Sequence, residues 1–301
     1  MTGLEMKKFR YSEIFYSFQG EAQYAGKPSV WLRFYGCNLE CNGFGQDDPT
    51  NPDTYVLPYA TFDVSNIKRL EDLPVWNHGC DSSYSWSTKY KHLVHDNTAA
   101  EICQKMEDEM KHPSNPDGKF VHPVTKQDAM LCFTGGEPMM WQKAMVAIID
   151  EFETRGNSPQ TITIETNATQ KPLPAFIDFT FRNFRGTHIH FAMSPKLFNV
   201  SGEKDAVVPE VIAHYIGLGH SHVLKFVVNG TPACWEELDN AVAAIRKHTD
   251  TPLELWVMPV GATKDQQEDE QVAVIAMEAM KRGFNVATRN HCYVFGNVIG
   301  K

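Results

Sequence analysis

No stretch of this chain approaches the roughly 20 apolar residues that a membrane-spanning helix needs. Positive charge is in deficit, with 28 lysines and arginines against 37 acidic residues and a formal net charge of −9. That balance argues against a generic grip on nucleic acid, which relies on cations neutralising phosphates. The segment from Met1 to Arg10 is charged and lacks the apolar core of an export signal, so a cytoplasmic protein is expected. In that setting the seven cysteines read as reduced thiols, not as a disulfide framework. Internal repeats and low-complexity tracts are absent as well. Hydrophobic content is 42% of 301 residues, ordinary and sufficient for a substantial core. Length alone leaves one large domain or two small ones open.

Helix and strand signals alternate along most of the chain. Ser29 to Tyr35, Ala129 to Phe133, Thr161 to Ile164, Ile189 to Met193, Val223 to Val228 and Leu253 to Met258 read as strands. Asn97 and Thr98 could cap a helix that carries Ile102, Met106 and Met110 on one face. Further helices are expected over Trp141 to Phe152, around Leu238, Val242 and Ile245, and over Gln266 to Arg282. This alternation implies parallel strands with right-handed crossovers. About six β-α units are visible, too few for a closed eight-stranded barrel, so an open, partial β/α barrel is expected. Two segments interrupt the pattern. Asn42 to Gly79 carries Pro49, Pro52, Pro58 and Pro74, a spacing that forbids a long helix and favours turns. It reads as a functional insertion lying over the surface, since long structureless loops are uncommon in compact domains. His112 to Asp128 reads as a second loop.

Cys37 and Cys41 follow the first of those strands. An enzyme that splits S-adenosylmethionine (SAM) reductively would place a third cysteine three positions later, where this chain has Phe44. Cys80, beyond the insertion, supplies the missing thiol. Three thiolates on a four-iron cluster leave one iron open, and that iron can take the amine and carboxylate of SAM, whereas four would close the centre. With His78, the same cysteines form a Cys3His set suited to structural zinc. Cys103, Cys132 and Cys234 read as small buried hydrophobes.

Polar residues gather at the strand exits: Thr134-Gly135-Gly136-Glu137-Pro138, Glu165-Thr166-Asn167, Ser194-Pro195-Lys196, Lys225, and Met258-Pro259-Val260-Gly261. Each could be a plain turn, but together they suggest a shared rim that binds a ligand at the C-terminal ends of strands. Glu137 can accept from a ligand amine. Arg33 lies inside an apolar run, so it pairs either with an internal acid or with a substrate carboxylate.

The string Phe15 to Glu21, the stretch Gly26 to Cys37, Cys80-Asp81-Ser82, Thr134 to Pro138 and Ser194-Pro195-Lys196 occur in this order. Together they resemble the 7-carboxy-7-deazaguanine synthases, homodimeric radical SAM enzymes of the 7-deazapurine (queuosine-type) pathway. The resemblance implies one radical SAM domain over residues 1–301, with an insertion over 42–79. It implies conversion of 6-carboxy-5,6,7,8-tetrahydropterin to 7-carboxy-7-deazaguanine with loss of ammonia. Cys37, Cys41 and Cys80 would hold a 4Fe-4S cluster, and Ser82, where the family usually has threonine, would bind Mg2+. Gly79, Asp81, Gly136, Glu137, Ser194, Lys196 and Met258 would line the SAM site. Phe18, Gln19, Gly20, Arg33 and Thr134 would touch the pterin. Arg289 and His291 either help enclose substrate or form a surface pair. Flavodoxin or ferredoxin would be the electron donor, with no direct nucleic-acid or membrane partner. The alternatives are another radical SAM activity, such as glycyl-radical activation, or a non-enzymatic binding protein stabilised by zinc on Cys37, Cys41, Cys80 and His78.

Overall fold

The computed structural model describes residues 7–182, 186–218 and 220–301. β1 (Lys8–Phe18) runs antiparallel to β2 (Pro28–Phe34), with a register shift between Tyr11 and Glu13. The chain then enters the insertion, where prolines leave only single turns and the four-residue helix α1 (Pro58–Thr61). β3 (His95–Thr98) returns to pair antiparallel with β1. Thr98 then caps α2 (Ala99–Glu109) through a reciprocal capping box with Glu101, which satisfies free N–H groups of the first turn. Its Ile102 and Met106, with Met110 just beyond its end, are buried as their spacing predicts.

From there strand and helix alternate. β4 (Met130–Gly135) is followed by α3 (Gln142–Thr154), β5 (Thr161–Thr166), α4 (Pro174–Arg182) and β6 (His188–Met193). Next come α5 (Phe198–Ser201), α6 (Pro209–Leu218), β7 (Ser221–Val228), α7 (Pro232–Arg246) and β8 (Leu255–Pro259). The described chain closes with α8 (Lys264–Gln267), α9 (Glu270–Lys281), β9 (Asn285–Val286) and α10 (Asn290–Phe295). The sheet order is β3-β1-β2-β4-β5-β6-β7-β8-β9. The six pairings from β2 to β9 are all parallel, while β3 and β9 stay as open edges. The fold is therefore the open, partial β/α barrel that the alternation implied. Buried β4 is apolar from Met130 to Phe133, as parallel strands covered by helices tend to be.

Three local features differ from the sequence reading. The antiparallel strands β1 and β3 extend the sheet beyond the β-α units. The expected helix over 266–282 is two helices, because Asp269 caps a fresh start at Glu270 by accepting from the Gln271 N–H and Gln267 turns inward to donate to the carbonyl of Gly261 at 3.0 Å. The insertion does more than lie over the surface. Tyr59, Leu70, Leu73 and Trp76 bury themselves with Tyr84, Tyr90, Leu93 and Ile299 in a second apolar cluster. Among the described residues, no helix is long and apolar enough to cross a membrane.

Candidate active site

The C-terminal ends of the parallel strands and the neck of the insertion surround a cavity of about 310 Å³. Its wall brings together residues scattered through the sequence: Phe18, Gln19, Gly20, Arg33, Cys37, Cys41, Gly79, Cys80, Asp81, Ser82, Thr134, Gly136, Ser194, Lys196 and Met258. Arg289 and His291 line it too, so they are cavity residues and not a surface pair. Glu137 and His78 are absent from the wall.

Cys37 leaves β2 directly, and Gly136 packs against it. A Cβ on Gly136 would stand 2.4 Å from the Gly36 carbonyl oxygen and 2.7 Å from the Cys37 Cβ, so only glycine fits between the two strand exits. Cys41 takes a left-handed φ of 53°, and the backbone N–H groups of Glu40 and Cys41 both donate to Glu203 Oε1, at 2.7 and 2.5 Å. Cys80 reaches the same cavity because the neck of the insertion is closed, with the Gly79 N–H donating to the Phe44 carbonyl at 2.7 Å. Phe44, in the place of the expected third cysteine, packs against the main core and lies 5.7 Å from Lys196 Nζ. Burial pushes the Cys37 thiol up to about 12 and the Cys80 thiol up to about 11, and drives Cys41 well up. Neighbouring thiols raise Cys37 and Cys41 further, while Lys196 acts in the opposite sense on all three.

Among the described residues, no group of three or more His, Cys, Asp or Glu could hold a single metal ion. Tetrahedral zinc at about 2.3 Å from each sulfur requires sulfurs about 3.8 Å apart. A four-iron cluster spreads its thiolates over separate irons. Cys37, Cys41 and Cys80 share one wall of the cavity, while His78 lies outside it.

The floor is a chain of alternating charges. Gln19 donates to Glu165 at 2.9 Å, and Lys225 donates to Glu165 at 2.6 Å and to Glu21 at 2.8 Å. Arg289 donates to Glu21 at 3.2 Å, to Asp81 at 2.7 Å and to the Gly261 carbonyl at 3.0 Å. Ser82 donates to Asp81 at 3.0 Å and accepts from Arg33 at 3.2 Å, while Arg33 also donates to Glu13 at 2.6 Å. Burial alone would raise the Glu21 and Asp81 carboxyls. Lys225 and Arg289 nonetheless hold Glu21 well below the usual range, and Arg289 holds Asp81 at about 2. The Arg33 choice is thus answered in part, since an internal acid is present and the guanidinium still lines the cavity. Glu13, which also accepts from Tyr84 at 2.8 Å, had no motif to announce it. Its signal is its place directly across from Arg33 in the β1–β2 register.

Gly20 is crowded by the C-terminal segment. Asn290 N–H donates to its carbonyl at 2.9 Å, and a Cβ there would fall 2.1 Å from His291 Nδ1. Glu137, expected to accept from a ligand amine, lies behind the wall of the cavity. It is fully buried and accepts from Met139 N–H at 2.9 Å, Thr166 Oγ1 at 2.6 Å and Asn167 N–H at 2.7 Å. Its carboxylate ties the exit of β4 to that of β5 and positions the wall without forming it.

No protein-family model matches the chain. It is similar to the 7-carboxy-7-deazaguanine synthase of Halobacterium salinarum, 24% identical over 93% of this chain and 88% of that one. A protein of the same name from Pyrobaculum aerophilum is 24% identical over 98% of each chain. Another, from Bacteroides thetaiotaomicron, is 29% identical over 56% of each chain, so that match spans little more than half the length of either. In fold the chain is similar to QueE from Escherichia coli, with a TM-score of 0.52 over 94% of this chain and 95% of that one, at 16% identity.

Proposed function

From a chain that is an enzyme related to the 7-carboxy-7-deazaguanine synthases, we propose a radical SAM lyase that converts 6-carboxy-5,6,7,8-tetrahydropterin to 7-carboxy-7-deazaguanine. Substrate and product differ by one ammonia, so the overall conversion needs no net oxidant or reductant. The observation that carries the reading is the meeting of Cys37, Cys41 and Cys80, from either side of the insertion, on one wall with Arg33, Gln19 and Thr134.

Cys37, Cys41 and Cys80 would hold a 4Fe-4S cluster, which when bound supplies the electron that cleaves SAM to a 5′-deoxyadenosyl radical. Gly79, Asp81, Gly136, Ser194, Lys196 and Met258 line the part of the cavity proposed for SAM. Gly136 allows the close backbone approach such a ligand needs, and Lys196, donating to Ser194 at 3.0 Å, offers charge for its carboxylate. Ser82 and Asp81 supply two oxygens for Mg2+, an ion that keeps several of its waters and asks few protein ligands. Arg33 would clamp the pterin carboxylate while Phe18, Gln19, Gly20 and Thr134 hold the ring. This would bring the pterin C6, which bears that carboxylate and loses the first hydrogen, to a fixed place. Glycyl-radical activation, which acts on a protein backbone, has no use for this charged floor.

A homodimer in the cytoplasm, reduced by flavodoxin or ferredoxin and making no direct contact with nucleic acid, completes the proposal. The test is anaerobic cluster reconstitution, followed by mass spectrometry of the products formed from the carboxytetrahydropterin. Formation of 7-carboxy-7-deazaguanine is expected. Cluster-replete, reduced protein that leaves this pterin unchanged would overturn the reading.

A further inference from the structure

We infer that Lys225 is a positioning residue for substrate: shared between Glu21 and Glu165, it keeps the acceptor edge of the cavity ionised and so selects a heterocycle with two adjacent N–H donors. The inference rests on the pterin reading above.

Lys225 sits on β7 with 2% of its surface exposed, and a lysine so deeply buried requires compensation. Its Nζ lies 2.6 Å from Glu165 Oε2 and 2.8 Å from Glu21 Oε2, and all three side chains face the cavity. Glu165 Oε1 accepts from Gln19. Each carboxylate oxygen can take about two hydrogen bonds, so Glu165 keeps one free acceptor position on each oxygen. Two parallel acceptors match the ring N–H and exocyclic amine of a 2-amino-4-oxopyrimidine edge, the edge a pterin presents. A protonated Glu165 would instead point an O–H at those donors.

Glu21 and Glu165 are close enough to share one ammonium nitrogen. Without that cation, two like charges at this separation in a buried site would retain a proton between them. Arg289 compensates only the far oxygen of Glu21, at 3.2 Å. The other titratable groups around the ammonium are Cys132 on β4, whose thiol burial drives well up, His190 on β6, His291 on α10 and Asp81. Burial holds His190 at about 3 and His291 at about 4, and Asp81 stands at about 2. None of them changes charge near neutrality, so a pH dependence appearing there on loss of Lys225 belongs to the two glutamates.

The experiment titrates the fluorescence of 6-carboxypterin, an oxidised and air-stable pterin, from about pH 6 to about pH 7.5, where free carboxylates are already ionised. The wild-type protein is expected to bind with nearly constant affinity across this range. Lys225→Met should bind about tenfold or more weaker at the acid end and regain affinity by up to about tenfold per pH unit. Lys225→Arg should restore the flat profile, and Glu165→Gln should lose binding at every pH. Thermal melts report whether each variant is folded, and should Lys225→Met not fold, Lys225→Arg and Glu165→Gln carry the test. A Lys225→Met profile as flat and tight as wild type, or a Glu165→Gln protein that binds normally, overturns this inference while leaving the pterin reading intact. Wild-type protein that binds no 6-carboxypterin at any pH overturns the pterin reading itself.

Discussion

Replacing Glu137 by glutamine separates a residue that positions the wall from one that touches ligand. In the native protein its Oε1 accepts from Met139 N–H and Thr166 Oγ1, and its Oε2 accepts from Asn167 N–H. Glutamine is nearly isosteric but has a single oxygen. If that oxygen keeps the first two donors, the amide N–H2 meets the Asn167 N–H head on. One charge-assisted bond is lost and two buried donors are stranded, each costing about 1–3 kcal/mol. The expected loss of stability is about 2–5 kcal/mol. At the two to four degrees per kcal/mol usual for chains of 150–250 residues, that is a fall in Tm on the order of 4–20 °C. Denaturant unfolding and thermal melts of the cluster-free protein measure it. SAM affinity of the protein still folded at low temperature should change by less than about tenfold, because Glu137 does not face the cavity. Unchanged melting together with lost SAM binding would refute the reasoning and return Glu137 to the ligand.

Cys80→Ala is expected to lose iron as completely as Cys37→Ala or Cys41→Ala, whereas Cys103→Ala keeps it; iron and sulfide analysis after reconstitution decides, and a full cluster in Cys80→Ala removes it from the ligand set. Arg33→Ala should retain cluster and SAM binding but lose substrate affinity by roughly 2–5 kcal/mol, by analogy with truncating one partner of a buried charge pair. Near wild-type product formation by that variant would sink the clamp. For His190, burial depresses the folded-state value to about 3 against about 6.5 in an unfolded chain. Its contribution is therefore present above about pH 6.5 and lost as pH falls toward 3, at up to about 1.4 kcal/mol per pH unit. Denaturation midpoints between about pH 5 and pH 6.5 should fall with acid, and His190→Gln should flatten the slope by about one proton's worth; an unchanged slope excludes His190 as its source.

What could be read in the sequence is what local chemistry enforces. Strand runs such as Ala129 to Phe133 are apolar because both faces of a parallel sheet are covered, and Thr98 with Glu101 marks a helix start because free N–H groups need partners. Polar residues at the strand exits declared a rim, since in this architecture the strand ends are where a ligand has access. β3 escaped notice because the pairing that makes it a strand lies with residues far along the chain, His95 to Thr98 against Lys8 to Tyr11.

The sequence by itself determined the order of the β-α units and pointed to three thiols that the fold brings to one cavity wall. Only the tertiary structure decided which acid meets Arg33, that Arg289 bridges Glu21 and Asp81, and that Glu137 turns away from the cavity. Charge pairing depends on through-space distance, and Lys225 and Glu21 stand 204 positions apart in the chain but 2.8 Å apart in the fold. No periodicity encodes such a meeting; it follows from how the sheet curls and where its strand ends converge.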